Sequence, residues 1–194
     1  KEEYVNDDSG EFIAGTSDGL ETYVGNFVGD QSLEMITADG TLKLQRLKNG
    51  ESTTLAEQDF NSGSYPQLVA VGDVLDNKPG KEVVTCPAVA KDAKIRVFSY
   101  DQHTKEFTIE ETFRPFPSFH VQHNFRGCGG LALIDVSGDS KKEIVIGQSK
   151  GQVPTAQYDD FDDQIAFIDQ VRTYSSNGRL LNSYDLPAVV DANL

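Results

Sequence analysis

Leu131-Ala-Leu-Ile134-Asp135-Val-Ser137-Gly-Asp139-Ser-Lys-Lys-Glu143-Ile-Val-Ile-Gly147 is the stretch whose reading decides the fold. Two apolar runs, 131–134 and 144–146, flank a polar turn with acidic residues at its first, fifth and ninth positions: Asp135, Asp139 and Glu143. The runs are too short for helices and are bounded by Gly, so they read as buried strands. Polar oxygens at alternate positions of a turn can converge on one hard cation such as Ca²⁺.

The same unit recurs upstream, aligned on its terminal Glu. Asn26-Phe-Val-Gly-Asp30-Gln-Ser-Leu-Glu34 precedes Met35-Ile36-Thr37, and Asp73-Val-Leu75-Asp76-Asn77-Lys-Pro-Gly-Lys-Glu82 precedes Val83-Val84-Thr85 with one extra turn residue. The turns begin at residues 26, 73 and 135, which are 47 and 62 residues apart. Periods of that size filled with short strands indicate propeller blades rather than helical solenoids. The second copy divides into runs 68–72, 82–86, 94–100 and 106–113, the third into 131–134, 143–147, 171–174 and 179–184. Asn177-Gly178 separates the last two as a two-residue hairpin signal, since both residues tolerate φ > 0. Asp39-Gly40 and Asn49-Gly50 divide the first copy into 34–38, 41–47 and 52–58. Each copy is a four-stranded meander, and no amphipathic helix is visible. Residues 11–15 look like one more second strand, after a degenerate turn containing Asp7. Glu11 precedes Glu34 by only 23 residues, too few for a blade. Residues 20–24 are expected to finish this partial unit or open the next, but not both.

With 194 residues the chain can bury one good core, and 11 Phe and 7 Tyr supply large side chains for it despite only 38% hydrophobic residues. Lys plus Arg number 17 against 31 Asp plus Glu, a net charge of −14. Such a surface repels phosphate backbones and anionic lipid, which makes nucleic acid and membrane surfaces poor candidate partners. No apolar run approaches the roughly 20 residues that span a bilayer. A start at Lys1 without a signal peptide suggests a mature or excised segment.

The spaced Asp turn followed by Glu-Ile-Val-Ile-Gly, then by Val171-Arg-Thr-Tyr174 or Ile95-Arg96-Val97-Phe98, resembles the FG-GAP/VCBS repeats. These build integrin-type β-propellers and many bacterial cell-surface proteins, and the likeness covers roughly residues 20–187. It implies that turn positions one, three, five and nine hold Ca²⁺: Asp135, Ser137, Asp139 and Glu143 in the third copy. In the second it implies Asp73, Asn77 and Glu82, with Asp76 substituting for the apolar Leu75, and in the first Asn26, Asp30 and Glu34. Ser140 stands where the family has Gly, Glu replaces its terminal Asp, and the first copy has Asn26 and Val28 where charge or oxygen is expected. Hydrogen-bonded Asx turns, which Asp and Asn form without metal, are the alternative.

Other constellations carry less chemistry. Gly15-Thr-Ser17-Asp-Gly19 and Gly147-Gln-Ser149-Lys-Gly151 fit a hydrolase nucleophile elbow, but that needs a strand-to-helix turn, and the repeat explains both. His120 and His123 lie three apart in an extended, Pro-broken segment and would face opposite sides. Cys86 ends a second strand and Cys128 begins the next blade's first strand, at the rim opposite the Asp turns. They are either one disulfide, if their Cα atoms come within ~7 Å, or two small buried thiols. The insertion 152–170 carries Tyr158, Asp159, Asp160, Phe161, Asp162 and Asp163, either a partner-binding loop or a solvated ornament.

The expected architecture is all-β: a partial blade over 1–19, then blades over 20–60, 61–117 and 118–194, in one domain. Three blades do not close a ring of ~4–8. A larger or assembled propeller is therefore expected, with residues 3–15 pairing with an outside blade. The likeness implies a non-catalytic, calcium-stabilised extracellular or cell-surface module for adhesion, protein–protein interaction or assembly. Its partners would be a protein or glycan at the cell surface, or further blades from the same or another chain. The alternative is the propeller of a carbohydrate-binding or polysaccharide-cleaving enzyme.

Overall fold

The computed structural model describes residues 4–6, 12–15, 21–38, 40–60, 67–78, 80–87, 94–115, 128–148 and 170–185. Over these residues the chain is all-β, with no helix and every strand pairing antiparallel. The first sheet runs in order through β1 (Tyr4–Asn6), β2 (Phe12–Gly15), β3 (Glu21–Gly25), β4 (Leu33–Ala38), β5 (Thr41–Lys48) and β6 (Glu51–Asp59). The second contains β7 (Gln67–Gly72), β8 (Glu82–Pro87), β9 (Ile95–Asp101) and β10 (Glu106–Phe113), also in chain order. The third contains β11 (Cys128–Ile134), β12 (Glu143–Gln148), β13 (Gln170–Tyr174) and β14 (Leu180–Asp185). Three meanders in succession are what the repeat implies.

Two expectations at the N-terminal end are corrected. β3 pairs with both β2 and β4, so it finishes the partial unit and opens the next at once. The reason is that an interior strand alternates its N–H and C=O groups between two edges and can ladder on each. The hairpin β1–β2 joins the chain's own β3 and thus extends the first sheet to six strands, where pairing with an outside blade was expected.

The loops follow local chemistry. Asn49 and Gly50 both take positive φ, 55° and 81°, which matches the twist of a two-residue hairpin. Around Asn177-Gly178 the turn is built differently, and only Gly178 is left-handed, at 77°. Gly178 N–H donates to Ser175 O at 2.9 Å and Ser175 N–H to Arg179 O at 3.0 Å. This is a three-residue loop, a tight turn closed by a left-handed Gly, so the two-residue expectation is corrected.

The sheets stack face to face in chain order. Between the first and second lie Tyr23, Ile36, Leu42, Leu44, Val69, Val83 and Phe98. Phe60, Phe98, Phe107, Tyr100 and Phe27 form a continuous run of rings there, with successive centroids 6.0, 6.2, 5.6 and 6.1 Å apart. Between the second and third lie Leu68, Val84, Ile95, Val97, Ile144, Ile146 and Tyr174. Alternate residues of β7 and β8 therefore serve opposite cores, and every residue of both strands is buried. Strands buried on two faces lose the apolar–polar alternation of a half-buried strand, which is why Gln67–Gly72 and Glu82–Pro87 read as near-continuous apolar runs.

Candidate functional site

The three acidic turns join the first and second strands of their meanders: β3 to β4, β7 to β8 and β11 to β12. Each is closed by its terminal Glu, whose carboxylate reaches back to the second turn residue and, in the first two turns, to the third as well. Phe27 and Val28 N–H donate to Glu34 Oε2 at 3.0 and 3.2 Å. Val74 and Leu75 N–H donate to Glu82 Oε2 at 2.9 and 3.2 Å. Val136 N–H donates to Glu143 Oε2 at 2.7 Å. All three carboxylates are buried, at 0%, 1% and 8% exposure. A buried charge persists only where hydrogen bonds replace its water, and the turn amides supply them. Burial raises the Glu82 carboxyl above its ordinary value of 4.5, with the amides of Val74 and Leu75 pulling it down.

The first and fifth turn positions form Asx turns. Asn26 Oδ1 accepts Gly29 N–H at 2.7 Å, and Asp30 Oδ1 accepts Ser32 N–H at 3.0 Å. Asp135 accepts Gly138 N–H at 2.6 Å through one oxygen and Ser140 N–H at 3.0 Å through the other. Asp139 Oδ1 accepts Lys141 N–H at 2.9 Å. Ser140 and its counterpart Gln31 hold φ of 74° and 66°, a region that costs a non-Gly residue. A hydrogen bond from its own N–H to Asp135 holds Ser140 there.

Protein cations meet two of the turns. Arg46 Nη2 bonds Asp30 at 2.6 Å and Glu34 at 3.2 Å, and Lys141 pairs with Asp73. Asp76 and Asn77 are exposed, whereas Leu75 is buried in the core. In the third turn Asp135, Ser137 and Asp139 are exposed, and no cationic side chain sits on their carboxylates among the described ion pairs. Nowhere among the described residues are three or more His, Cys, Asp or Glu gathered as a metal-holding group. The first and third turns thus carry Asx hydrogen bonds, the second is closed by Glu82 and paired with Lys141, and the third leaves its Asp135 and Asp139 carboxylates clear of side-chain cations among the described ion pairs.

The sequence did not mark the residues that tie the turns together. Lys81, just before Glu82, donates from Nζ to Asn26 O of the first turn at 3.2 Å. Lys142, just before Glu143, donates its backbone N–H to Asp73 O of the second at 2.9 Å. The signal available was a Lys preceding the Glu in both later copies. At the opposite rim Cys86 and Cys128 form a disulfide between β8 and β11, with Cα atoms 6.1 Å apart. Ser17, Ser149, His120, His123 and the loop residues Tyr158, Asp159, Asp160, Phe161, Asp162 and Asp163 lie outside the described residues.

No protein-family model matches the chain, no curated protein matches it, and no solved structure matches it.

Proposed function

We propose that this chain is a non-catalytic propeller module of the FG-GAP/VCBS kind, acting outside the cell in protein–protein interaction, adhesion or assembly. The observation that carries the interaction reading is Val136, 56% exposed at the turn position where Phe27 and Val74 are 7% and 2% exposed. The first two turns each tuck this side chain into the following sheet, whereas the third presents it to a surface. The disulfide supports an oxidising, extracellular setting. In the first two turns the acidic groups are engaged by turn amides and protein cations, which supports a structural role for them rather than catalysis. Ca²⁺, which the likeness implies, belongs in this proposal to the third turn alone, at Asp135, Ser137, Asp139 and Glu143.

Two assays test it. Incubation with neutral and acidic polysaccharides is expected to leave their lengths unchanged, and depolymerisation would replace this reading with the enzymatic one. Thermal unfolding with Ca²⁺ against chelator is expected to show a higher midpoint with the ion, by mass action on the folded state. Asp139→Asn should abolish that rise. An equal midpoint in both buffers would mean that hydrogen bonds alone close the turns.

A further inference from the structure

Between the first and second sheets, at the end of the strands away from the acidic turns, the core stops being apolar. Val69, Val83 and Phe98 face the first sheet. Two residues beyond Val83 on that face stands Thr85, and two before Phe98 stands Arg96. The ladder pairs Thr85 with Arg96 directly. Residues so opposed hold their Cβ atoms about 4.5–5.5 Å apart, so the two side chains are neighbours. Phe60 packs on the second of them, with its ring centroid 5.7 Å from Arg96 Cζ.

Each presents a buried donor without an acceptor. Thr85 is 0% exposed and its Oγ1 has no hydrogen-bond partner, and Arg96 Nη1 is likewise buried and unpartnered. No carboxylate pairs with Arg96 among the described ion pairs. Burial lowers the pKa of its guanidinium from the ordinary value, with no neighbouring charge to oppose it. Buried donors left without partners are costly and proteins keep few of them. Two adjacent donors with a single positive charge match one carboxylate, whose two oxygens accept side by side. A doubly charged anion would leave a buried negative charge uncompensated.

Room for the rest of such a molecule lies along the same row of the sheet. On its other side Arg96 pairs with Thr112 of β10. Thr112 lines an open cavity of about 490 Å³ with Lys94, Phe113 and Arg114. That volume suits a small organic ligand. Its described lining holds two cationic side chains and no acidic one, in a chain whose net charge is −14. We propose that this rim binds a small organic acid, its carboxylate accepting from Arg96 Nη1 and Thr85 Oγ1 and its body seated in the cavity beside Thr112. The site lies apart from the acidic turns and does not depend on the interaction reading above.

Thermal unfolding of the full chain in acetate, succinate and benzoate tests this, with sulfate as the contrasting anion. Chloride holds the ionic strength constant, and no Ca²⁺ is present. The carboxylates are expected to raise the midpoint saturably by binding the folded state, and sulfate is not. Arg96→Met keeps an apolar stem against Phe60 and should abolish the rise. Thr85→Val, close to it in shape, should weaken binding about tenfold, the worth of one hydrogen bond to a charged group. Far-ultraviolet circular dichroism verifies that each variant keeps its strands. No saturable rise with any of the three carboxylates overturns the site, as does a rise that survives Arg96→Met. An equal rise with sulfate overturns the carboxylate assignment. An affinity unchanged in Thr85→Val overturns the proposed contacts even where Arg96→Met does not fold.

Discussion

Glu82 is the residue on which the middle of the molecule turns. At 1% exposure it gives one oxygen to the amides of Val74 and Leu75, whose side chains are themselves buried. Removing it leaves two donors with no partner and no water. Glu82→Ala is expected to lose about 2–4 kcal/mol in denaturant unfolding, because each orphaned buried donor costs about 1–3 kcal/mol. Glu82→Gln keeps an acceptor oxygen without the charge and gives the pH test. Burial raises the folded-state pKa of Glu82 above its ordinary value of 4.5. A raised carboxyl favours folding while protonated, and that contribution is lost as pH rises from 4.5 through the folded value. The midpoint of Glu82→Gln should therefore improve relative to the unmodified protein as pH rises across that window. A pH-independent difference would show that the carboxyl titrates as it would in solvent.

Among the elements, the second and third sheets are joined covalently at one rim by Cys86–Cys128, between β8 and β11, and polarly at the other, turn to turn, where Lys142 N–H meets Asp73 O and Lys141 pairs with Asp73. The disulfide closes a sequence separation of 42 residues. In the chain-entropy account a loop of that size is worth about 4 kcal/mol, and measured losses run at about 2–5 kcal/mol. Replacing both cysteines with Ala should lower the unfolding free energy in that range, and a change within error would place the restraint elsewhere. At this scale the strands were legible in the sequence, because short β-branched runs between Gly and Asx punctuation admit little else. The adjacency of Cys86 and Cys128 was legible too, since the repeat register puts both at one end of neighbouring sheets. The lysine ties were not, because the Lys before the closing Glu recurs locally but what it reaches depends on how the sheets stack. Nor was the placement of β1–β2, where too few residues remained to show which strand they would join.

For the whole molecule, the order of the stack matters more than any single contact. The second sheet has a core on each face, while the first and third each turn one face outward. Mixed exposure along β14, where Leu180, Asn182, Ser183, Tyr184 and Asp185 are all exposed, contrasts with complete burial of β7 and β8. Local opening draws on elements with few buried contacts, and the most buried strands open only with the whole. The acidic surface, at a net charge of −14, opposes indiscriminate collapse of the open faces. Residue-resolved hydrogen exchange on the unmodified chain tests the stacked order most directly. The amides of β7 and β8 should exchange slowest and together, with those of β14 and β6 well before them. Equal protection across all three sheets, or β7 and β8 exchanging alongside β14, would contradict a middle sheet packed between two others.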